Sequence, residues 1–121
     1  DLMLMEVQMY FTGTRNSYQN NRISVSDTTR GICIYPEQGY WHLYTSSTIA
    51  SGIKIAPAVT NQTYTIRLML VGVNGYAWID DKLVGTYNSH AMQGNTLTSV
   101  WSQSQNNYGG VFKSIKLKKF T

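Results

Sequence analysis

Two adjacent carboxylates, Asp80 and Asp81, follow Trp78 in the stretch "YAWIDDKL". Adjacent acids beside an aromatic ring could serve in catalysis, hold a metal ion, or turn the chain between two strands. Neighbouring side chains of an extended strand point to opposite faces of the sheet, so the two carboxylates cannot flank one bond there. Asp also suits turns, because its side chain hydrogen-bonds to nearby backbone. The sequence therefore predicts a turn at Asp81-Lys82, with Asp80 supporting it.

The spacing of the acidic residues does not suit a glycosidase. The chain has only six of them. A retaining glycosidase needs two carboxyl groups about 5–5.5 Å apart across the sugar bond. No two acids stand at positions i and i+2 of one strand, where they would share a face. The sequence therefore predicts no catalytic residues and a protein that is not an enzyme.

Metal sites and nucleophiles have no complete motif either. The lone cysteine, Cys33, excludes an internal disulfide, and no Cys and His residues stand at zinc spacing. Calcium needs about six to eight oxygen ligands, and only a site that combines Asp27 or Asp80 with backbone carbonyls is left open. Cys33 with His42 as strand partner superficially resembles a nucleophile and base, but no oxyanion-hole motif accompanies it. His90, in a loop, has no partner, and we expect neither metal nor cofactor.

A set of aromatic and polar strand residues is the stronger candidate site. If the large apolar residues of the strands face the core, strand alternation forces their neighbours to the opposite side. Sugars present C–H faces that stack on aromatic rings, and hydroxyl groups that pair with polar or charged side chains. We therefore predict one ligand-binding face. Its residues are Tyr40, His42, Tyr44, Arg67, Tyr76 and Trp78, with Trp101 joining them from a later strand.

An ordinary packing role is the alternative for these aromatic residues. Aromatic side chains are enriched in strands because they pack well on a pleated surface, and both sheets of a sandwich need large residues. In that case Trp78 and Trp101 lie in the core and the tyrosines are ordinary strand residues. The side of the sheet on which Trp78 lies decides between the two interpretations.

Short strands dominate the chain, and almost nothing in it is typical of helix. In "LMLMEVQMYF" (2–11), apolar residues alternate with others, which predicts a strand with one buried face. Glycines and prolines interrupt the remaining apolar runs at short, even intervals. We count about ten or eleven strands, and this pattern favours an all-β, antiparallel, two-sheet β-sandwich or a barrel.

Two hairpins are predicted in detail. In "GICIYPEQGYWHLYT" the loop is placed at 36–39, which sets Ile34 opposite Trp41. The dipeptide Asn74-Gly75 predicts the turn of a second hairpin, because both central residues of a type I′ turn need positive φ.

Three stretches resemble those of a known superfamily. The hairpin "GICIY-PEQG-YWHLYT" is similar to the Gly-Tyr-aromatic hairpin of jelly-roll domains. The stretch "YTIRLMLVGVNGYAWIDDKLVG" resembles a long apolar strand, a turn, and then aromatic-x-Val-Asp-Gly-Lys-Leu-Val-Gly, with Asp80-Asp81 in place of Asp-Gly. The closing "YGGVFKSIKLKKF" is similar to a Gly-x-x-Phe-x-x-Ile-x-Leu last strand. Together they resemble the concanavalin A-like lectin/glucanase superfamily, including its laminin-G-like and 3-keto-disaccharide-hydrolase-like branches, which implies a jelly-roll β-sandwich.

Composition narrows the class of protein. Charged residues make up only 13% of the chain, whereas Ser, Thr, Asn, Gln, Gly and Tyr are plentiful, which suits an extracellular β domain. The net charge of +4 comes partly from lysines near the end of the chain, along one predicted strand. Lysines commonly protect an edge strand from unwanted pairing, so we do not expect nucleic-acid binding. Residues 1–121 are expected to form a single domain of a larger protein.

The sequence predicts a non-catalytic carbohydrate-binding module, lectin-like or adhesive, of an extracellular, cell-surface or virion-surface protein. The expected partner is a glycan or polysaccharide. Other domains of the same chain or a second copy are further candidates, and membrane insertion is not expected. The alternative is a protein-interaction or structural module, such as a fibre, coat or sensor domain, that uses the same aromatic face.

Overall fold

Ten β-strands and no helix make up the part of the chain that a computed structural model describes. The all-β prediction is thereby confirmed. That part of the chain contains no helix of the length and hydropathy needed to cross a membrane. The described residues are 2–12, 22–26, 31–43, 53–72, 74–88, 99–101 and 110–120.

The strands range from three to eleven residues in length. All pairings between them are antiparallel. In chain order the strands are β1 (Leu2–Phe11), β2 (Arg22–Ser26), β3 (Gly31–Glu37), β4 (Tyr40–Leu43), β5 (Ile53–Pro57), β6 (Tyr64–Val71), β7 (Asn74–Ile79), β8 (Lys82–Asn88), β9 (Ser99–Trp101) and β10 (Gly110–Phe120).

The strands form two five-stranded sheets that enclose one core. The first sheet has the order β10-β1-β6-β7-β8, and the second has the order β5-β4-β3-β2-β9. The first strand of the chain therefore pairs with the last, and β10 and β8 are the edge strands of the first sheet. The predicted edge position of the lysine-rich last strand is confirmed by this order.

Strand alternation builds the core between the sheets. In β1 the odd-numbered residues from Met3 to Phe11 are buried, whereas the even-numbered residues are partly or fully exposed. Successive side chains of a strand point to opposite faces, so each strand contributes one apolar side to the core. The same alternation holds in β6 and β7. The apolar residues that alternate with the predicted binding residues along β4, β6 and β7 are all buried, namely Trp41, Leu43, Ile66, Leu68, Leu70, Ala77 and Ile79.

Trp41 of β4 joins the two sheets at the centre of the core. Its fully buried ring meets Phe11 and Tyr64 of the first sheet nearly at right angles, with centroid distances of 5.7 and 5.5 Å. Edge-to-face contacts of this kind are favourable because the ring edge is positive and the face negative. The Trp41 Nε1 has no hydrogen-bond acceptor among the described residues. Its contribution to the core is therefore ring packing.

The first predicted hairpin has a tighter turn than expected. The chain reverses at Gln38-Gly39, whose φ angles of 51° and 83° fit a two-residue type I′ turn. The loop placed at 36–39 was wrong, because its first two residues still belong to β3. Ile34 consequently pairs with Leu43 and not with Trp41. This shift is two residues long, so every side chain keeps its predicted face.

The second hairpin does not turn at Asn74-Gly75. Val71 pairs directly with Asn74, so both Asn74 and Gly75 belong to β7, and Gly72 directly after β6 has a φ of 57°. Gly75 instead lies buried in β7 opposite Leu70. The turn predicted at Asn74-Gly75 was wrong, since Gly75 and Ala77 are instead buried, inward-facing residues of β7.

Matched leucine substitutions test the assignment of the core. Leu68→Ala should lower the free energy of unfolding by about 2–5 kcal/mol, because Leu68 is fully buried and truncation leaves a cavity. Leu83→Ala should lower it by less than about 1 kcal/mol, because Leu83 is 50% exposed. Urea denaturation of both variants measures the difference. Equal losses would contradict the inward orientation of Leu68.

Candidate functional site

Asp80 and Asp81 are the two central residues of the β7–β8 turn, with φ angles of 50° and 67°. Positive φ is uncommon outside glycine, but Asp tolerates it better than most residues. The Asp80 N–H donates to the Thr65 carbonyl at 2.8 Å, and the Asp80 Oδ1 accepts from the Thr65 N–H at 2.9 Å. The turn is therefore tied to the start of β6. It lies one residue earlier than the predicted Asp81-Lys82.

Arg67 holds carboxylates from two distant parts of the chain. Its Nε donates to the Glu6 Oε2 at 2.9 Å, and its Nη2 lies 2.8 Å from the Asp81 Oδ1. The hydrogen bond that Arg67 donates to Glu6 and the negative charge of Asp81 raise the pKa of Arg67 above its usual value. The guanidinium, which stays protonated in proteins, is held by these two carboxylates between β1 and the β7–β8 turn.

Tyr76 and Trp78 lie beside Arg67 on the outward side of the first sheet. Ala77 between them points into the core, so both rings point away from it and are partly exposed. Their centroids are 6.0 Å apart and their planes differ by 27°. The register places Trp78 next to Arg67 and Tyr76 next to Met69. Trp78 is thus a surface residue and not part of the core.

The strand register aligns these side chains in two rows that run across all five strands of the first sheet. Neighbouring strands are about 4.7–4.9 Å apart, so each row spans about 19 Å. We call the two rows together the outer face. The first row is Lys116, Glu6, Arg67, Trp78 and Leu83, and the second is Lys118, Leu4, Met69, Tyr76 and Thr86.

Tyr40 and His42 lie on the second sheet, on the side of β4 opposite to the core residue Trp41. Tyr40 is exposed, and the Lys54 Nζ lies 4.6 Å from its ring centroid. His42 is buried, with its ring stacked on Tyr35 at 5.3 Å and its Nδ1 3.0 Å from the Tyr40 carbonyl oxygen. The two residues therefore belong to a different surface from the outer face.

The predicted binding face is thus divided. The structure brings Arg67, Tyr76 and Trp78 together, but the thickness of the sandwich separates them from Tyr40 and His42. The prediction that all of them share one face was wrong. Alternation shows which residues of a strand are opposite to the core, but both sheets of a sandwich have such a side.

Some of the predicted residues lie outside the described part of the chain. Tyr44 falls outside the described residues, and so do Asp27 and His90. For Trp101 the structure describes the backbone only, which pairs with Arg22 at the edge of the second sheet. Their part in a site stays a prediction.

The metal and nucleophile hypotheses gain no support from the geometry. Among the described residues, no group of three or more His, Cys, Asp and Glu side chains could hold a metal ion. Cys33 is buried and pairs with Ser24, whereas His42 pairs with Tyr35. The predicted pairing of Cys33 with His42 was therefore wrong.

Three charged residues of the outer face, Glu6, Lys116 and Lys118, were not identified as site residues from the sequence. The alternation of β1 already placed Glu6 on the polar side of its strand. Its partner Arg67, however, is 61 positions away along the chain, and only the β1–β6 register brings them together. The lysines were recognised as edge-strand residues, but their alignment with Trp78 and Tyr76 also depends on the order of the strands.

The chain is similar in fold to several solved structures, whereas no family model and no curated protein sequence matches it. The alginate lyase AlgAT5 of polysaccharide lyase family 7 has a TM-score of 0.63 at 11% identity, over 97% of this chain and 58% of that protein. A Trypanosoma rangeli sialidase mutant displaying trans-sialidase activity also has a TM-score of 0.63 at 11% identity, over 96% and 20%. The carbohydrate-binding module CBM66 from Bacillus subtilis has a TM-score of 0.55 at 14% identity, over 98% and 75%.

These likenesses confirm the jelly-roll β-sandwich fold that the resemblance implied. The chain spans just over half of the alginate lyase and one fifth of the sialidase. At identities this low the likeness concerns the fold, and function has to be argued from the side chains of the outer face.

Substitutions of Asp80 test whether its role is to build the turn. Asp80→Asn should leave stability nearly unchanged, because Asn also tolerates positive φ and keeps an acceptor for the Thr65 N–H. Asp80→Ala should lower the free energy of unfolding by about 1–3 kcal/mol, since it removes the hydrogen bond and adds strain at positive φ. Asp80→Gly should lie between the two. Thermal denaturation gives the order, and an Asn variant as unstable as Ala would contradict the turn role.

Proposed function

We propose that this chain is a non-catalytic carbohydrate-binding module that contacts its ligand through the outer face. The pair formed by Tyr76 and Trp78 carries this proposal. Both rings lie side by side on one strand, point away from the core and remain partly exposed. A pyranose ring has a C–H surface that packs on an aromatic face, so two neighbouring rings offer a platform for a sugar.

Arg67 supplies the polar part of the platform. Its ion pairs to Glu6 and Asp81 use the Nε–H and one N–H of Nη2. Among the described residues no contact of the other N–H groups is seen, and these can donate to sugar hydroxyls. The same ion pairs hold the side chain beside Trp78 before any ligand arrives. A donor that is fixed in advance loses less conformational entropy on binding.

The corresponding side of the second sheet is much less accessible at its centre. Ser24, Cys33, Tyr35 and His42 all point away from the core there, yet each is at most 7% exposed. By comparison, the side chains of Arg67 and Glu6 at the centre of the outer face are 39% and 29% exposed. This difference supports the first sheet as the binding side.

The named neighbours support a glycan as the ligand. CBM66 is named as a carbohydrate-binding module, and the likeness to it covers 98% of this chain. Two other neighbours are named as an alginate lyase and a sialidase. Together with the few charged and many polar uncharged residues of the sequence, this supports a module of an extracellular or surface protein.

The positions of the carboxylates support a binding role without catalysis. Hydrolysis of a glycosidic bond needs one carboxyl group that donates a proton and a second that acts as nucleophile or base. Glu6 and Asp81 are the acids that converge on the outer face, and each is ion-paired with Arg67. Asp80 is engaged with the Thr65 backbone.

A protein-interaction module is the second candidate, and exposed aliphatic residues favour it. Leu83 stands opposite Trp78 and is 50% exposed, and Val71 at the end of β6 is 40% exposed. Exposed aliphatic side chains beside aromatic rings are also typical of protein-binding surfaces. This partner would use the β7–β8 end of the outer face.

Tyrosine and tryptophan variants test the platform. The wild-type protein is applied to a glycan array, and the glycan with the strongest signal is used for isothermal titration calorimetry. Trp78→Ala and Tyr76→Ala should each weaken binding about tenfold or more, because each removes a stacking surface. Tyr40→Ala is the matched control, since Tyr40 is an exposed tyrosine on the second sheet and its loss should leave the affinity unchanged.

The melting temperature of each variant separates loss of binding from loss of folding. Trp78→Ala should melt close to the wild type, because Trp78 lies outside the core. No signal for any glycan on the array, or equal weakening by Tyr40→Ala and Tyr76→Ala, would contradict the proposed function. Self-association in light scattering that is abolished by Leu83→Ala would favour the protein-interaction alternative.

A further inference from the structure

We infer that Lys116 and Lys118 form a subsite for the anionic groups, carboxylate or sulfate, of an acidic glycan bound on the outer face. This inference rests on the proposed function and specifies the class of its ligand. Both lysines lie on β10, in the same two rows as Trp78 and Tyr76.

The ion pairs of the first row leave Lys116 without a carboxylate. Glu6 stands directly opposite Lys116 in the β1–β10 register, at the separation where cross-strand ion pairs usually form. The Glu6 carboxylate instead accepts from the Arg67 Nε at 2.9 Å, on the other side of β1. Asp81 binds the same guanidinium. No ion pair to Lys116 is formed among the described residues.

Lys118 is in a similar position in the second row. Its cross-strand neighbour is Leu4, which has no charge to offer. Together with Leu4 and Glu6, the two lysines line a depression on the surface of the sheet. An anionic group in this depression would meet two ammonium groups, while the aliphatic parts of Leu4 and the lysine stems cover the adjacent part of a sugar ring.

The distance between the two lysines and the aromatic rings is short enough for one oligosaccharide to contact both. Three strand spacings separate Lys116 from Trp78 within the first row, which is about 14 Å. An oligosaccharide that runs across the strands therefore contacts the rings at β7 and the ammonium groups at β10 in one bound state. Arg67 lies between them, and its single positive charge is outweighed by the two carboxylates of Glu6 and Asp81. The positive charge of the outer face is consequently concentrated at its β10 end.

Protection of an edge strand does not by itself explain this arrangement, although lysines do serve that purpose. Lys119 on the same strand pairs with Met3 and so lies on the other side of the sheet. The Lys113 Nζ donates to the Thr63 hydroxyl at 3.0 Å and lies 5.6 Å from the Tyr10 ring centroid. Lys116 and Lys118 differ from both, since they line the depression and share rows with the aromatic platform.

A pair of double variants with equal charge tests the subsite. Lys116→Gln/Lys118→Gln removes the two lysines of the outer face and leaves Arg67 in place. Lys82→Gln/Lys119→Gln is the control and changes the net charge by the same amount. Its two lysines pair with the core residues Ile79 and Met3 and therefore do not lie on the outer face. Isothermal titration calorimetry at 0.15 M NaCl measures the affinity of the wild type and of both double variants for two anionic polymers, polygalacturonate and dextran sulfate. The neutral counterparts, methyl-esterified polygalacturonate and dextran, are measured in the same way.

The wild type should bind at least one of the two anionic polymers more tightly than its neutral counterpart. A preference for polygalacturonate would identify carboxylate as the bound group, and a preference for dextran sulfate would identify sulfate. Lys116→Gln/Lys118→Gln should weaken that binding about three- to tenfold, as expected for two exposed charge pairs, while Lys82→Gln/Lys119→Gln should change it less than twofold. Affinity of the wild type for the anionic polymer should fall with added salt.

Several outcomes would overturn the subsite. Equal weakening by both double variants would show that net charge alone drives binding. Equal affinity for anionic and neutral polymers that still depends on Trp78 would overturn the anionic subsite but keep the proposed function. Binding to neither kind of polymer, with no glycan bound on the array, would overturn both. Single-stranded DNA bound as tightly as dextran sulfate would also exclude a site for acidic glycans.

Discussion

The packing of the two sheets around a common core, with Trp41 at its centre, determines which residues of each strand point away from the core. Because this ring packs edge-to-face against Phe11 and Tyr64 of the first sheet, its neighbours on β4 must point away from the core. Since Ala77 and Ile79 fill the inward side of β7, Tyr76 and Trp78 must point outward in the same way. The outward orientation of Tyr76 and Trp78 is thus a consequence of core packing.

Arg67 distributes charge over that face. It lies on β6, the central strand of the first sheet, and binds a carboxylate from β1 on one side and one from the β7–β8 turn on the other. An exposed ion pair contributes little to stability, so its main effect is on the surface. Both carboxylates, those of Glu6 and Asp81, are therefore bound near the middle of the outer face. The aromatic end at β7 and the lysine end at β10 consequently have different chemistry, although they share rows in one sheet.

Much of the fold could be predicted from the sequence, because alternation is a local property. Alternation correctly predicted the buried side of β1, β6 and β7. The suitability of Asp for turns placed the β7–β8 turn within one residue of its observed position. The assignment of strands to sheets could not be obtained in this way. β4 and β7 alternate alike, and nothing local shows that Tyr40 and Trp78 belong to different sheets. The Asn74-Gly75 signal failed for a related reason, since burial of Gly75 opposite Leu70 prevailed over turn propensity.

The same distinction explains why this fold is compatible with both enzymes and binding modules. The core positions establish a sandwich, whereas exposed outward positions such as those of the outer face are less constrained by packing and can carry different chemistry. In this chain the outward position at the centre of β6 is an arginine, and the two acids that reach it are bound by the guanidinium. A carboxylate that is ion-paired in this way stabilises the arrangement of the face, and the rings and ammonium groups at its two ends are left to contact a ligand. The chemistry of the outer face is therefore that of recognition, with aromatic stacking at one end and charge attraction at the other.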